Sequence, residues 1–376
     1  MQKWMNEFNQ QADAVYFASA DKKTRLVGFG RQSELMDWEN PDMLNQWVAA
    51  QSGPIFGGFN FNSKQTLVGI MGGYFVAPKT VIDLTQNTEW QSEVERTNVL
   101  RRLVQMRQED DWVTRMTPVL ATLQNDPTKE KVVLGMQTHL ALDGPLALDV
   151  ILDDLEQQQP HSYHMVIKRE QEVFVSATPE RIVRMQGAQF ETAAVAGSIR
   201  RGATEAEDAA LADDLWRDKK NRHEHDIVVQ TIAERLQDMH DLTYAAVPEI
   251  LKTPQIQHLY TPITGRLDAT MTVLDLVQRL HPTPALGGMP QAWAQAVIAE
   301  DEAEPRGLFA APIGYQYPDG SGEFVVGIRS MYANTKALTL FAGAGILPDS
   351  DLAQEAAEIQ LKMTPMRTLI KGQTHE

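Results

Sequence analysis

The chain has 376 residues, enough for one large domain or two ordinary ones, and its apolar share of 43% is that of a globular protein. A formal net charge of −16 and a pI near 5.0 argue against nucleic-acid or anionic-membrane partners. There is no cysteine, which excludes a disulfide framework and thiolate catalysis and suits an intracellular location.

No apolar core of signal-peptide length opens the chain, and no run approaches the ~18 apolar residues of a membrane span. A cytoplasmic protein is expected. In chain order, residues 14–30 read as a hairpin about the turn Asp21-Lys22-Lys23. Residues 53–61, 66–77 and 80–84 read as strands whose glycines suit bulged or closely packed sheet. From 88 to 125 the period changes: Val94, Leu100, Leu103 and Val104, then Trp112, Met116, Val119 and Leu123, recur at helical spacing. The run 131–142 predicts a strand opening on Lys131, and 162–177 a hairpin turning at Arg169-Glu170. Thr204 and Glu207 form a capping-box pattern for a helix that breaks near Asp218 and runs to about Met239. A short helix around 273–280 leads into the proline-glycine loop HPTPALGGMP. Strands follow at 306–315, 322–332 and 336–347, and Asp351 starts a final helix. Strands and helices come in blocks, without repeats or a low-complexity linker. This predicts one α+β domain over 1–376 with large, mostly antiparallel sheets.

Several side chains in this pattern can carry chemistry. Glu180 follows a strand end and the turn at Pro179, a place where active groups gather, and the same stretch closes on Ala196-Gly197-Ser198. Glu224 extends the apolar stripe of Val228, Ile232 and Leu236 on its helix. A carboxylate there is costly unless it is paired or metal-bound, and a salt bridge to Arg222 or a distant arginine would also satisfy it. The neighbouring His223 and His225 lie on different helix faces, which argues against zinc. Glu355, Glu358 and Lys362 fall at i, i+3 and i+7 on one stripe: either an exposed salt-bridge ladder or part of a magnesium site. Arg329, inside an apolar strand, calls for a carboxylate, internal or a ligand's. The AGAG stretch 342–345 could present free N–H groups to an anion, but it lacks the third glycine of a dinucleotide fingerprint. Lys131 is either a solvated strand-end lysine or a partly buried general base.

Read together and in order, KVVL at 131, TPERI at 178, AGSIRRG at 196, DKKNRHEHDIVV at 218, HPTPALGG at 281 and GEFVVGIRS at 322 resemble the chorismate-utilising enzymes. AGAGILPDSD with E-x-x-E-x-x-x-K, over 342–362, completes the set. The resemblance covers about the last 250 residues, so 111–376 would be the chorismate-binding catalytic region and 1–110 the variable half of the sheet core. It implies that family's two-lobed, β-sandwich-like core with helices packed outside. Within the family it points to the isochorismate-forming branch. Lys131 resembles the lysine that activates water in isochorismate and salicylate synthases. Ala196 stands where aminodeoxychorismate synthases carry a nucleophilic lysine, and Ala285 lies in an isochorismate-type loop.

What the resemblance implies is a magnesium-dependent isomerisation of chorismate to isochorismate, feeding menaquinone or catechol siderophore synthesis. Lys131 would be the general base for a water attacking C2, and Glu180 the general acid for the departing C4 hydroxyl. Both pKa values would then have to move toward neutrality, the lysine down and the glutamate up. Glu224 and Glu358, with Glu355 through water, would hold Mg2+ on the ring carboxylate. Arg329 and the Gly343 amide would take the enolpyruvyl carboxylate, and Gly197, Ser198, His258 and Lys362 would complete the pocket beside Ala196 and Ala285. A monomer without a glutamine amidotransferase subunit is expected. The departures are Thr178 for serine, Ser198 for a frequent threonine, and Met136 where arginine is commoner, which would remove a charge near the base. A salicylate synthase and a catalytically silent chorismate-family binding protein are the rival readings, with the amine-forming synthases a weaker third.

Overall fold

Largely apolar strands, several of them buried on both faces, pair into one long, mostly antiparallel ladder in a computed structural model that describes residues 1–36, 41–62, 65–94, 101–108, 111–267, 271–371 and 374–375. Near one end, the strand Ile256–Arg266, whose outer edge pairs with His240–Tyr244 and Glu249–Lys252, pairs with Gln189–Arg200. The ladder then passes through Arg181–Gln186, Gly322–Val326, Pro312–Gln316 and Ile55–Gly58. It continues through Tyr74–Asp83, Arg25–Leu35, Asp13–Ala18, Tyr163–Arg169 and Glu172–Thr178. Ser330–Asn334, Ala337–Ile346, Lys131–Leu142 and Arg101–Gln108 close the series. Strands from the first 110 residues are thus interleaved with later ones. The ladder folds over itself: Phe17 and Tyr315, on strands separated by three others, meet edge-on with centroids 4.8 Å apart. Phe17, Phe56, Phe75, Phe174 and Phe324 fill the space this creates and are fully buried.

Two helices carry the chemistry to this sheet. Thr204 caps Glu205–Arg217 by accepting from the Glu207 N–H at 3.2 Å, as the capping pattern predicts. Asp218 is extended, so the helical run breaks there, and its carboxylate caps Lys219–Arg235 by accepting from the Asn221 N–H at 2.8 Å. This second helix packs on Gln189–Arg200, and the final helix Leu352–Lys371 packs on Ala337–Ile346. No described helix is long and apolar enough to cross a membrane.

Three expectations change. The run expected to be helical over 88–125 divides into a short 3-10 turn Thr88–Gln91, the strand Arg101–Gln108 and the helix Trp112–Asn125, with Leu100 outside the described residues. Leu103 and Val104 lie in a strand because Lys131–Leu142 offers an edge of free backbone groups. Pairing with that edge outweighs a short helical period. Residues 66–84 hold a 3-10 turn Gly69–Gly72 and one strand, Tyr74–Asp83, where two strands are predicted. Finally, the strand expected over 322–332 is two strands, Gly322–Val326 and Ser330–Asn334. Arg329, at φ +47°, turns the chain between them. The helices Leu148–Gln158 and Gln291–Asp301 have no counterpart in the sequence reading.

Candidate active site

The two ends of the ladder close around one pocket. Ala196, Gly197, Ser198 and His258 come from one end, and Val133, Gly343 and Gly345 from the other. The turns between strands add Glu180 and Arg329, the two helices add Glu224, Glu358 and Lys362, and the proline-glycine loop adds Ala285. Eleven of the thirteen residues singled out by sequence therefore line one cavity. Lys131 and Glu355 reach it only through neighbours.

The TPER turn separates two charges. Arg181 leaves the pocket to bind Glu323 and Glu191, each at 2.8 Å. Glu180 turns inward and is 7% exposed. Burial raises its pKa to about 7, even though the positive charges of Lys131, Lys362 and Arg329 pull the other way. A carboxyl so placed can give a proton near neutral pH.

Arg329 is also buried, and among the described residues it has no carboxylate within ion-pair distance. Burial lowers its pKa to about 10, while Glu358 and Glu180 act only at longer range. Its Nη2 donates to His258 Nε2 at 3.5 Å, which leaves Nδ1–H of the neutral imidazole to donate to Ser198 Oγ at 3.0 Å. Burial, then the charges of Arg329 and Lys362, hold the His258 pKa well below its usual value. The left-handed backbone of Arg329 is fixed by Ser176, whose hydroxyl donates to the Ile328 carbonyl at 2.7 Å, and by the Ala177 N–H on its own carbonyl at 3.0 Å. The result is a guanidinium on a fixed backbone, with no carboxylate in ion-pair distance among the described residues.

A bulge shapes the opposite wall. Gly197 has φ +74°, and the register of its strand shifts between Ala196 and Ser198. Asn221, from the Glu224 helix, holds the bulge by accepting from the Ser198 N–H at 3.2 Å.

The lysines and carboxylates pair off. Lys131, 1% exposed, has its Nζ 2.7 Å from Glu224 Oε1. Lys362 binds Glu358 at 2.5 Å and donates to the Gly343 carbonyl at 3.0 Å. Lys220 binds Glu355 at 2.5 Å, and the Ser350 hydroxyl donates to the same oxygen at 2.8 Å. Glu224 therefore meets neither Arg222 nor another arginine; its partner is the strand-end lysine. The Glu355–Glu358 stripe is no exposed ladder, since Glu355 is 4% exposed and reaches across to another helix. Burial alone would raise the Glu224 pKa, but Lys131, Lys362 and Lys220 together hold it below the usual value.

Residues 77–371 match the family described as chorismate binding enzyme. The chain belongs to this family. Over 265 residues it is 38% identical to isochorismate synthase MenF of Bacillus subtilis (strain 168), covering 70% of this chain and 56% of that protein. Over 271 residues it is 35% identical to isochorismate synthase EntC of Escherichia coli (strain K12), covering 72% and 69%. The chain thus matches little more than half the length of the Bacillus protein. The solved structure of MenF, the menaquinone-specific isochorismate synthase from Escherichia coli, is similar with a TM-score of 0.83 at 22% identity, over 97% of this chain and 91% of that one. That likeness is one of fold.

Met136 is not beside Lys131. Strand residues alternate faces, so Met136 lies opposite Lys131, where its sulfur accepts from Gln360 Nε2 at 3.3 Å. Arg306, Phe309, Ala310 and Ile328 line the pocket without having been singled out by sequence. Gly345, from the AGAG stretch, also lines it, and a Cβ there would lie 2.8 Å from Lys131 Cε and 2.9 Å from Glu224 Oε1. Gly345→Ala is expected to displace that pair and lower turnover by up to about 100-fold while the fold survives. Steady-state kinetics alongside a Tm measurement would check this, and unchanged kcat would show that the pair tolerates displacement.

The acids suit a hard dication in kind. Glu224 and Glu358 present carboxylate oxygens to the pocket, and each already faces a positive charge. Lys220 lies within electrostatic reach of all three carboxylates. Among the described residues, however, no three acidic or histidine side chains converge as a finished metal cage. A cation would take its remaining ligands from substrate and water.

Proposed function

We propose that this chain isomerises chorismate to isochorismate. The observation that carries the reading is Glu180: a buried carboxyl with a pKa near 7, facing a pocket that also holds an arginine without a carboxylate partner among the described residues. Family membership makes chorismate, with its two carboxylates, the substrate that suits this pocket. Arg329 takes one carboxylate, supported by His258 and Ser198. Lys131 first gives its ammonium proton to solvent as it releases Glu224, and the neutral amine then accepts a proton from water, whose oxygen bonds to C2. The ring π electrons shift toward C4, and the C4–oxygen bond breaks as Glu180 gives up its proton, so one water enters and one leaves. Ala196 supports an external nucleophile, because no lysine stands there to attack the ring.

Glu224 and Glu358 would hold Mg2+, with Glu355 acting from behind through water. When bound, the ion supplies positive charge for the second carboxylate, in a protein whose net charge of −16 otherwise repels a dianion. Glu224→Ala is expected to move the magnesium titration of activity to higher concentration. An unchanged titration would remove Glu224 from the ligand set.

Incubating the chain with chorismate and magnesium and separating the products tests the whole reading. Isochorismate is expected. Salicylate fluorescence would replace the reading with isochorismate formation followed by pyruvate loss. No turnover at saturating chorismate would leave a silent binding protein.

A further inference from the structure

The strand that opens on Lys131 has an incomplete edge. One side is paired with Ala337–Ile346 from Val132 to Ala141. On the other side, Gly288 and Met289 pair with Val132 and Lys131, and Arg101–Gln108 pairs only from Thr138 onward. Between them, around Val133 and Gly135, no strand is present among the described residues, and the backbone groups there would be left bare.

Side chains fill the gap. Arg306 Nη2 donates to the Val133 carbonyl at 2.7 Å. Glu302 Oε1 accepts from the Gly135 N–H at 2.7 Å, and Trp112 Nε1 donates to the Gly135 carbonyl at 3.1 Å. Val133 N–H donates to the Gly287 carbonyl at 2.8 Å. Arg306 also donates through Nη1 to the Leu286 carbonyl at 2.8 Å, so one guanidinium ties the Lys131 strand to the loop carrying Ala285. It lies over the ring of Phe61 at 4.3 Å, and its Nε reaches both Glu302 oxygens, at 3.0 and 2.9 Å.

We propose that Arg306 and Glu302, with Trp112, are positioning residues that hold the Lys131 strand against the pocket loop by standing in for a missing strand. This rests on the isochorismate-forming reading above. Arg306 differs from Arg329 in the respect that matters. It is 2% exposed, its charge is met by Glu302, and its donors are committed to Glu302 and to the Leu286 and Val133 carbonyls. It therefore acts on the reaction through Lys131, two residues from Val133, and not on a substrate carboxylate.

Arg306→Lys keeps a cation beside Glu302 but cannot reach the Val133 and Leu286 carbonyls together. It is expected to lower kcat by about 10- to 100-fold, with KM within about threefold of wild type and the limbs of the pH profile unmoved. Trp112→Phe removes only the Gly135 contact and leaves both charges in place. It is expected to lower kcat severalfold, and it decides the matter if Arg306→Lys does not fold. Backbone amide exchange at Gly135 should quicken in both variants. A raised KM at constant kcat would make Arg306 a substrate contact, and unchanged kcat in folded variants would make the cap purely structural; either overturns the proposal. Wild-type chain that leaves chorismate unaltered strikes the isochorismate reading instead. The Gly135 exchange rate then still decides: no change in Arg306→Lys refutes the cap, and faster exchange upholds it.

Discussion

Lys131→Ala is expected to lower kcat for isochorismate formation by about 10²- to 10⁴-fold, the usual contribution of a positioned general base. The lysine is buried, and its ammonium contacts the pocket carboxylate Glu224 at 2.7 Å. The two other lysines near the pocket are paired elsewhere, Lys362 with Glu358 and the Gly343 carbonyl and Lys220 with Glu355. Removing Lys131 also leaves Glu224 short of a cation, so chorismate binding is to be measured separately, for example by calorimetry. Retained binding with lost turnover is the expected pattern. Near-wild-type kcat in a folded Lys131→Ala protein would falsify its assignment as the base.

The second large effect belongs to Glu180. Glu180→Gln preserves shape but has no acidic proton, and a loss of about 10²- to 10⁴-fold in kcat is expected. The wild-type pH profile carries an independent signature. Burial holds the carboxyl at about 7, against the lowering effect of Lys131, Lys362 and Arg329. A proton donor must be protonated, so forward turnover is greatest below that value and falls as the pH rises through about 7. The falling limb should vanish from the residual activity of Glu180→Gln. A limb that persists unchanged in the variant would assign it to another group.

How much of this was legible before folding depended on the range of the interaction. The helical period placed Glu224 on the apolar stripe of Val228, Ile232 and Leu236, and all three are buried as that period requires. It could not name the partner, because Lys131 comes from a strand on another part of the chain. Arg329 was recognisable as a charge in apolar company. Its turn at φ +47° was not, because a non-glycine residue takes that conformation only when surrounding groups such as Ser176 and Ala177 hold it there. Leu103 and Val104 misled because apolar spacing over a short run is ambiguous, and the edge of Lys131–Leu142 settled it. Arg306 had no local signal: its role exists only where three separate segments meet.

The sequence by itself determined the family, through ordered short motifs, and the elements whose patterns are local: the strand 131–142, the cap at Thr204, the break at Asp218 and the loop 281–290. Only the tertiary structure decided which faces meet when the ladder folds over itself. That closure buries Glu180 and raises its pKa, gives each of Glu224, Glu358 and Glu355 its own lysine, leaves Arg329 without a carboxylate partner among the described residues and turns Met136 away from Lys131. Burial and charge pairing are properties of neighbours in space, and spacing along the chain does not carry them.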